Sequence, residues 1–311
     1  MRILMFGSLP PKIGGVSTSV KNTMIALKTK NIDTSIILNF SSIKALFHRY
    51  DIAHVHYVKS WKIFLALILG KIFAKKNIFT LHDSKFLDDY TKTSFFKLYR
   101  INVKLMDGII FLNQSAQNRY RHISPPSIVL GSMFVEGVLS QQINKKNYIK
   151  REKNKIYLLL YAFGKIIRNN KSVYGAEFIL ENLSFLDDQY VLVFVDIQGD
   201  YKNECNEISS NKLIYIDHQI DFLSLLLEVD IYIRPTTTDG SSVAVQEALM
   251  LGKKVLASDV VERPAEVTLY RSGDFEDFKE KLENLKETEG FTPNSIDDYL
   301  AFCNQLLEKK K

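Results

Sequence analysis

Apolar runs of four to six residues alternate with amphipathic helical patterns along almost the whole chain, and few folds accept that alternation. A strand that is apolar on every side needs helices over both faces of its sheet, which is the condition of a parallel sheet. The spacing predicts strands at Arg2 to Phe6, Ser35 to Leu38, Ile52 to His56, Ile78 to Leu81 and Gly108 to Leu112. Between them it predicts a helix after Gly14-Gly15, with Val16, Val20, Met24 and Leu27 on one face, and helices over Trp61–Phe73, Phe95–Leu105 and Ser115–Tyr120. A second series follows: strands at Tyr157 to Phe163, Tyr190 to Val195, Lys212 to Ile216, Ile231 to Ile233 and Val255 to Ala257, with helices over Val173–Leu183, Ile220–Leu227 and from near Ser241 to Gly252.

The polar, lysine-rich stretch Gln141 to Lys155 separates the two series, and a chain of 311 residues suits two domains of about 150 each. The expected architecture is α/β: two doubly wound Rossmann-like domains, residues 1–150 and 151–294, facing a cleft. A final helix, Ile296 to Leu307 within segment 295–311, can pack back on the first domain or on the second. Ligands of such sheets lie at the carboxyl ends of the strands.

Composition narrows the class. Hydrophobic residues make up 46%, ample for packed cores. Cys205 and Cys303 fit no metal or redox spacing and read as buried thiols in a reducing compartment. Met1 to Gly7 is a strand pattern, not a secretory signal. The longest apolar run, Ile63 to Leu69, reaches Ala74 only through Lys71, short of the about 20 residues that span a bilayer. A soluble, cytoplasmic protein is expected.

Charge is uneven. Residues 1–150 hold 22 Lys+Arg against 7 Asp+Glu, giving +15; residues 151–311 hold 19 against 28, giving −9. The basic half suggests an anionic partner. Its lysines are scattered rather than clustered with stacking aromatics, which disfavours nucleic acid. An anionic membrane surface or a lipid-diphosphate substrate fits better, and Lys59, Lys62, Lys71, Lys75 and Lys76 surround the Trp61–Phe73 helix. A merely solvated, lysine-rich surface is the plain alternative.

The segment from Asp230 to Ser258, DIYIRPTTTDGSSVAVQEALMLGKKVLAS, carries most of the chemistry. Asp239 precedes its helix and Glu247 lies two turns in, with the amides of Gly240, Ser241, Ser242 and Val243 between them. A helix start of this kind receives phosphate, and flanking carboxylates suit sugar hydroxyls. A helix cap and an incidental buried glutamate would account for the same residues. Lys165 and Lys171, with Arg168 between, offer cations to a departing diphosphate. No D-x-D occurs, so no metal held by paired aspartates is expected. Gly14 and Gly15 permit close backbone approach to a ligand, though a simple strand–helix turn explains them as well. His82 follows a strand at its carboxyl end and suits a ligand hydroxyl, while His54 and His56 read as packing residues within a strand.

In series, PPKIGGVSTSV, DIAHVHY, TLHD, MDGIIFLNQSA, AFGK…NNK and DGSSVAVQEALMLGKKVLAS resemble the retaining glycosyltransferases of family 4, which have the GT-B fold. The last segment resembles that family's E-x7-E motif, present here as D-x7-E. The resemblance implies an acceptor-side first domain and a second domain binding a nucleotide-diphosphate sugar, without a metal or other cofactor. It implies Lys165 and Lys171 on the donor diphosphate, Asp239 near the donor sugar and Glu247 on the ribose. It implies Gly240 to Val243 on phosphate and sugar, Gly14-Gly15 facing the donor phosphate, and His82 near the reacting carbon. The expected function is transfer of a hexose-like sugar to a glycan or lipid-linked acceptor in bacterial surface polysaccharide synthesis, with peripheral contact at the inner membrane leaflet. A sugar-nucleotide 2-epimerase and a non-catalytic glycan- or nucleotide-sugar-binding subunit are the alternatives.

Overall fold

The computed structural model describes residues 1–9, 15–38, 48–82, 101–120, 122, 125–131, 134, 143, 146–168, 170–208, 211–288 and 291–309. The chain divides into two compact units, residues 1–141 with 293–311, and residues 142–292.

The first unit is built on β1 (Arg2–Gly7), α1 (Gly15–Thr29), β2 (Asp33–Leu38), β3 (Tyr50–Val55), α2 (Ser60–Phe73), β4 (Ala74–Leu81), β5 (Gly108–Phe111), α3 (Gln114–Tyr120) and β6 (Ser127–Val129). Its strands pair in parallel in the order β2-β1-β3-β4-β5-β6. Strand side chains alternate between two cores, as a pleat requires. Leu4, Phe6, Ala53 and Val55 face a cluster with Ile63, Ala66 and Leu67 of α2, while Ile3, Met5 and Ile52 face one with Val20, Ala26 and Leu27 of α1.

The second unit runs β7 (Ile156–Ala162), β8 (Ile167–Arg168), β9 (Lys171–Ser172), α4 (Ala176–Asn182), β10 (Tyr190–Asp196), α5 (Lys202–Asn206), β11 (Leu213–Ile216), α6 (Phe222–Glu228), β12 (Ile231–Arg234), α7 (Val243–Met250), β13 (Lys254–Ser258), β14 (Thr268–Tyr270) and α8 (Phe275–Glu283). Six strands form a parallel sheet in the order β11-β10-β7-β12-β13-β14, and β8 and β9 form a separate antiparallel pair. The strand order reverses between β7 and β12, which is where ligands of doubly wound sheets bind. The last helix, α9 (Ile296–Glu308), belongs to the first unit, where Ile296, Tyr299, Phe302, Cys303 and Leu306 complete the core on the α1 face.

Several local expectations change. The sequence boundary is expected at residue 150, but the Tyr148 and Ile149 amides donate to the Glu228 carboxylate at 2.9 and 3.0 Å, tying that segment to the second unit. The helix expected from Val173 begins at Ala176, because Gly175 before it is left-handed with φ 65° and residues 167–172 form the β8–β9 hairpin. The helix expected near Ser241 begins at Val243, with Ser242 as its cap. Of the helix expected over Phe95–Leu105, residues 101–105 are helical and the remainder lies outside the described residues, as does Gly14.

Among the described residues no helix is long and apolar enough to cross a membrane. Helix α2 is a core element on one side, burying Ile63, Ala66 and Leu67, yet Trp61, Leu65 and Ile72 stand exposed on another. Of its expected lysines, Lys71 pairs with Asp107 at 2.6 Å and Lys75 with Asp51 at 2.7 Å.

Candidate active site

The end of β12 and the start of α7 form the centre of the site in the second unit. After Arg234 the chain leaves the sheet at Pro235 and enters α7 eight residues later at Val243. The Ser242 side chain accepts from the Val245 amide at 3.3 Å, so the first turn is capped internally. Gly252, with φ 68°, ends the helix, and its amide donates to the Leu249 carbonyl at 2.9 Å.

Asp239 does not stand free for a ligand. Its Oδ2 accepts from Arg234 Nε at 3.0 Å and from Arg263 Nη2 at 2.9 Å, and its Oδ1 accepts from its neighbour Gly240's amide at 2.9 Å. The side chains of Asp239 and Arg234 are each 11% exposed and that of Arg263 only 2%. Burial alone would raise the Asp239 carboxyl; the charges of Arg234 and Arg263 outweigh it and hold the group below the ordinary carboxylate range. Two guanidiniums share this one carboxylate. Arg263 Nε and Nη1 have no hydrogen-bond partner among the described residues, while its Nη2 also reaches Thr236 Oγ1 at 3.3 Å.

Neither arginine was marked in the sequence. Arg234 ends an apolar strand and Arg263 lies 24 residues beyond Asp239, so only the fold brings them together. Asp239, expected near sugar hydroxyls, is therefore engaged by cations, and the Gly240 amide, expected on phosphate, is engaged by Asp239. Ser241 Oγ accepts from Gln246 Nε2 at 2.7 Å.

Glu247 sits on the second turn of α7, 9% exposed. Burial, then the charges of Tyr174, Tyr232 and Glu247, drives the Tyr161 hydroxyl far above its ordinary value, so Glu247 and the carboxyl end of β7 share one environment. Arg234 lies 5.5 Å over the Tyr174 ring, and Tyr174 feels Asp239 in turn.

The two lysines part company. Lys171 is exposed on β9, and its hairpin is fastened to the loop after β12. Thr237 Oγ1 donates to the Ser172 carbonyl at 2.7 Å, and the Thr237 amide to the Val173 carbonyl at 3.1 Å. Gly175 completes the clamp: a Cβ there would lie 1.9 Å from the Pro235 carbonyl oxygen. Lys171 and the Asp239 loop are thus held side by side. Lys165 instead pairs with Glu204 at 2.8 Å and approaches Glu177 at 3.8 Å, and the Glu204 bond raises its pKa. The carboxylates come from α5 and α4, whose approach no local spacing signals. The Lys165–Glu204 pair is 38% and 41% exposed, worth about 0–1 kcal/mol, so an incoming anion can compete for the lysine.

In the first unit, Gly15 opens α1. His82, partly exposed just past β4, has Nε2 3.0 Å from His56 Nδ1. His56 and His54 are not packing residues alone: His56 Nε2 is 3.3 Å from His54 Nδ1, and His54 Nε2 is 2.7 Å from Thr80 Oγ1. Burial holds all three rings neutral, pushing His54 down to about 3 and His82 to about 4. The H-x-H spacing, which puts both rings on one face of a strand, was the available signal.

At the level of sequence, no family model matches the chain and no curated protein does. Similar solved structures exist. HepE from Anabaena in complex with UDP-glucose superposes with a TM-score of 0.62 at 15% identity, over 99% of this chain and 93% of that one. A glycosyltransferase from Rickettsia africae gives 0.62 at 13% identity over 99% of both chains, and sucrose-phosphate synthase from Thermosynechococcus elongatus 0.63 at 13% over 99% and 92%. Likeness at such identities speaks for architecture, and with the two parallel sheets described above it gives the chain a two-domain, Rossmann-like GT-B fold.

Proposed function

We propose that the protein is a retaining glycosyltransferase that takes a sugar from a nucleotide-diphosphate donor. The observation that carries this is the buried guanidinium pair of Arg234 and Arg263 on Asp239, with Arg263 Nε and Nη1 unpartnered among the described residues, set at the strand-order reversal between β7 and β12. Cationic N–H donors left unpartnered in a buried place favour an anionic acceptor such as a diphosphate. HepE, which shares the fold, was crystallised with UDP-glucose, and this supports the donor class.

In this reading Lys171 and the α7 start meet the diphosphate and stabilise the negative charge that gathers as the sugar bond breaks. Glu247 accepts from ribose hydroxyls. Asp239 differs from the role implied by resemblance: it fixes Arg234 and Arg263, and the arginines face the donor. Lys165 joins only when an anion draws it from Glu204. No metal or other cofactor has a part in the reading. His82 and Gly15, with Gly14, keep their expected roles toward the donor, and transfer proceeds with retained configuration through attack on the face the diphosphate leaves. The acceptor is a glycan or lipid-linked precursor of a bacterial surface polysaccharide, met at the inner membrane leaflet through the exposed apolar side of α2.

Calorimetric titration with UDP, GDP, ADP and CMP, followed by their sugars, tests the proposal. One nucleoside diphosphate should bind, and Lys171→Ala should weaken it about tenfold, roughly 1.4 kcal/mol. With the sugar nucleotide and no acceptor, slow release of free sugar and nucleoside diphosphate marks transfer to water. An epimerised sugar nucleotide would mark a 2-epimerase, and binding without turnover a non-catalytic subunit. No binding of any of the four would end the proposal.

A further inference from the structure

The imidazoles of His54, His56 and His82 form a row across the ends of β3 and β4, with a hydroxyl at its buried end on either side of His54. Thr80 Oγ1 lies 2.7 Å from His54 Nε2, and the Tyr299 hydroxyl 3.1 Å from His54 Nδ1. Onward, His54 Nδ1 is 3.3 Å from His56 Nε2, and His56 Nδ1 is 3.0 Å from His82 Nε2. His54, His56 and Thr80 are 2–3% exposed, and burial keeps each ring neutral, with one N–H and one lone pair.

A row of neutral rings joined nitrogen to nitrogen has only two proton orders. In one, every ring carries its proton on Nε2: His82 donates to His56, His56 to His54, and His54 to Thr80. The Thr80 hydroxyl proton is then left buried with no acceptor among the described residues, because His54 is the partner it has there. In the other order Thr80 donates to His54 Nε2, His54 Nδ1–H to His56, and His56 Nδ1–H to His82 Nε2. The Tyr299 oxygen then accepts a share of the His54 proton, and its own proton goes to the Cys303 thiol, which is also its hydrogen-bond partner. The buried Thr80 hydroxyl has an acceptor in this second order alone, and leaving it unmet is costly.

We propose that Thr80 sets the polarity of the histidine row and so holds His82 as its Nδ1–H tautomer, presenting a hydrogen-bond donor rather than an acceptor. Thr80 is a positioning residue that acts on His82 through His54 and His56. The inference deepens the glycosyltransferase reading, and rests on it only for the ligand: His82 would then donate to an oxygen of the donor sugar. The tautomer itself belongs to the protein without ligand.

Long-range proton–nitrogen spectra of the full chain, labelled with 15N-histidine and recorded at pH 7.5 without ligand, read it directly. His82 is expected to show a protonated Nδ1 and a bare Nε2, the less populated form of imidazole in water. Thr80→Ser should keep that pattern. Thr80→Val, which removes the donor, should move His82 to the Nε2–H form or to a mixture. A wild-type His82 protonated on Nε2, or an unchanged His82 in a natively dispersed Thr80→Val spectrum, overturns the proposal. Should Thr80→Val fail to fold, the wild-type and Thr80→Ser spectra still decide. A protein that binds no nucleotide but shows the Nδ1–H form would refute the transferase reading and leave the row's polarity standing.

Discussion

At the scale of single residues, Asp239 shows how a position can be legible in the sequence while its partners are not. Its position in D-x7-E was legible, and its partners were not, since Arg234 reaches it from the end of β12 and Arg263 from the loop between β13 and β14. With one methylene fewer than glutamate, the carboxylate stays close to its own turn, where it takes the Gly240 amide. Removing it leaves two nearly buried guanidiniums facing each other. Asp239→Ala is therefore expected to lose about 3–5 kcal/mol of stability at pH 7, measured by urea unfolding. The sign with pH follows from the lowered carboxyl: the wild-type contribution is full above the unfolded value near 3.8 and is lost as pH falls through the folded one. The gap between wild type and variant should narrow in acid. Equal stability of the two at pH 7 would show that the arginines do not depend on Asp239.

At the scale of elements, what periodicity could reveal it revealed. Strands that are apolar throughout, such as β7 and β10, and helices with one apolar stripe were placed within a few residues. The elements that escaped are those without a period. The β8–β9 hairpin has two residues to a strand, and β14 and α8 lie in a charged, mixed stretch. The same limit hid the site's organisation, because the Gly175–Pro235 contact that sets Lys171 beside Asp239 depends on one left-handed residue. Helix α2 was read as either core or membrane-facing, and its buried Ile63, Ala66 and Leu67 make it core. Its outer side still shows Trp61, 56% exposed, and Ile72, 58% exposed, side chains that reward burial in an interface. If that side meets lipid, the protein should co-sediment with vesicles rich in anionic lipid, and Trp61→Ser with Ile72→Ser should reduce binding at least tenfold without changing thermal stability. Wild-type binding by the double variant would sever α2 from the membrane.

At the scale of the whole molecule, each unit has its own sheet and its own pair of cores, yet only the second is continuous in sequence. The first needs α9, whose Ile296, Tyr299, Phe302, Cys303 and Leu306 are at most 4% exposed against β1, β3 and α1 residues. At about 1.5–3 kcal/mol for each large apolar side chain buried, Ile296, Tyr299, Phe302 and Leu306 of α9 together contribute on the order of a domain's whole margin. Deleting residues 293–311 should leave the first unit unfolded or molten by near-ultraviolet circular dichroism and amide exchange, while residues 142–292 keep protected strands. Native exchange protection of β1 and β3 in the truncated chain would show that α9 is dispensable. The return of the chain to its starting unit also fixes an order of events during synthesis. On the ribosome the later sheet can close while the earlier one waits, unfinished, for α9 to leave the exit tunnel, so Tyr299 reaches His54 only after residues 142–292 have emerged.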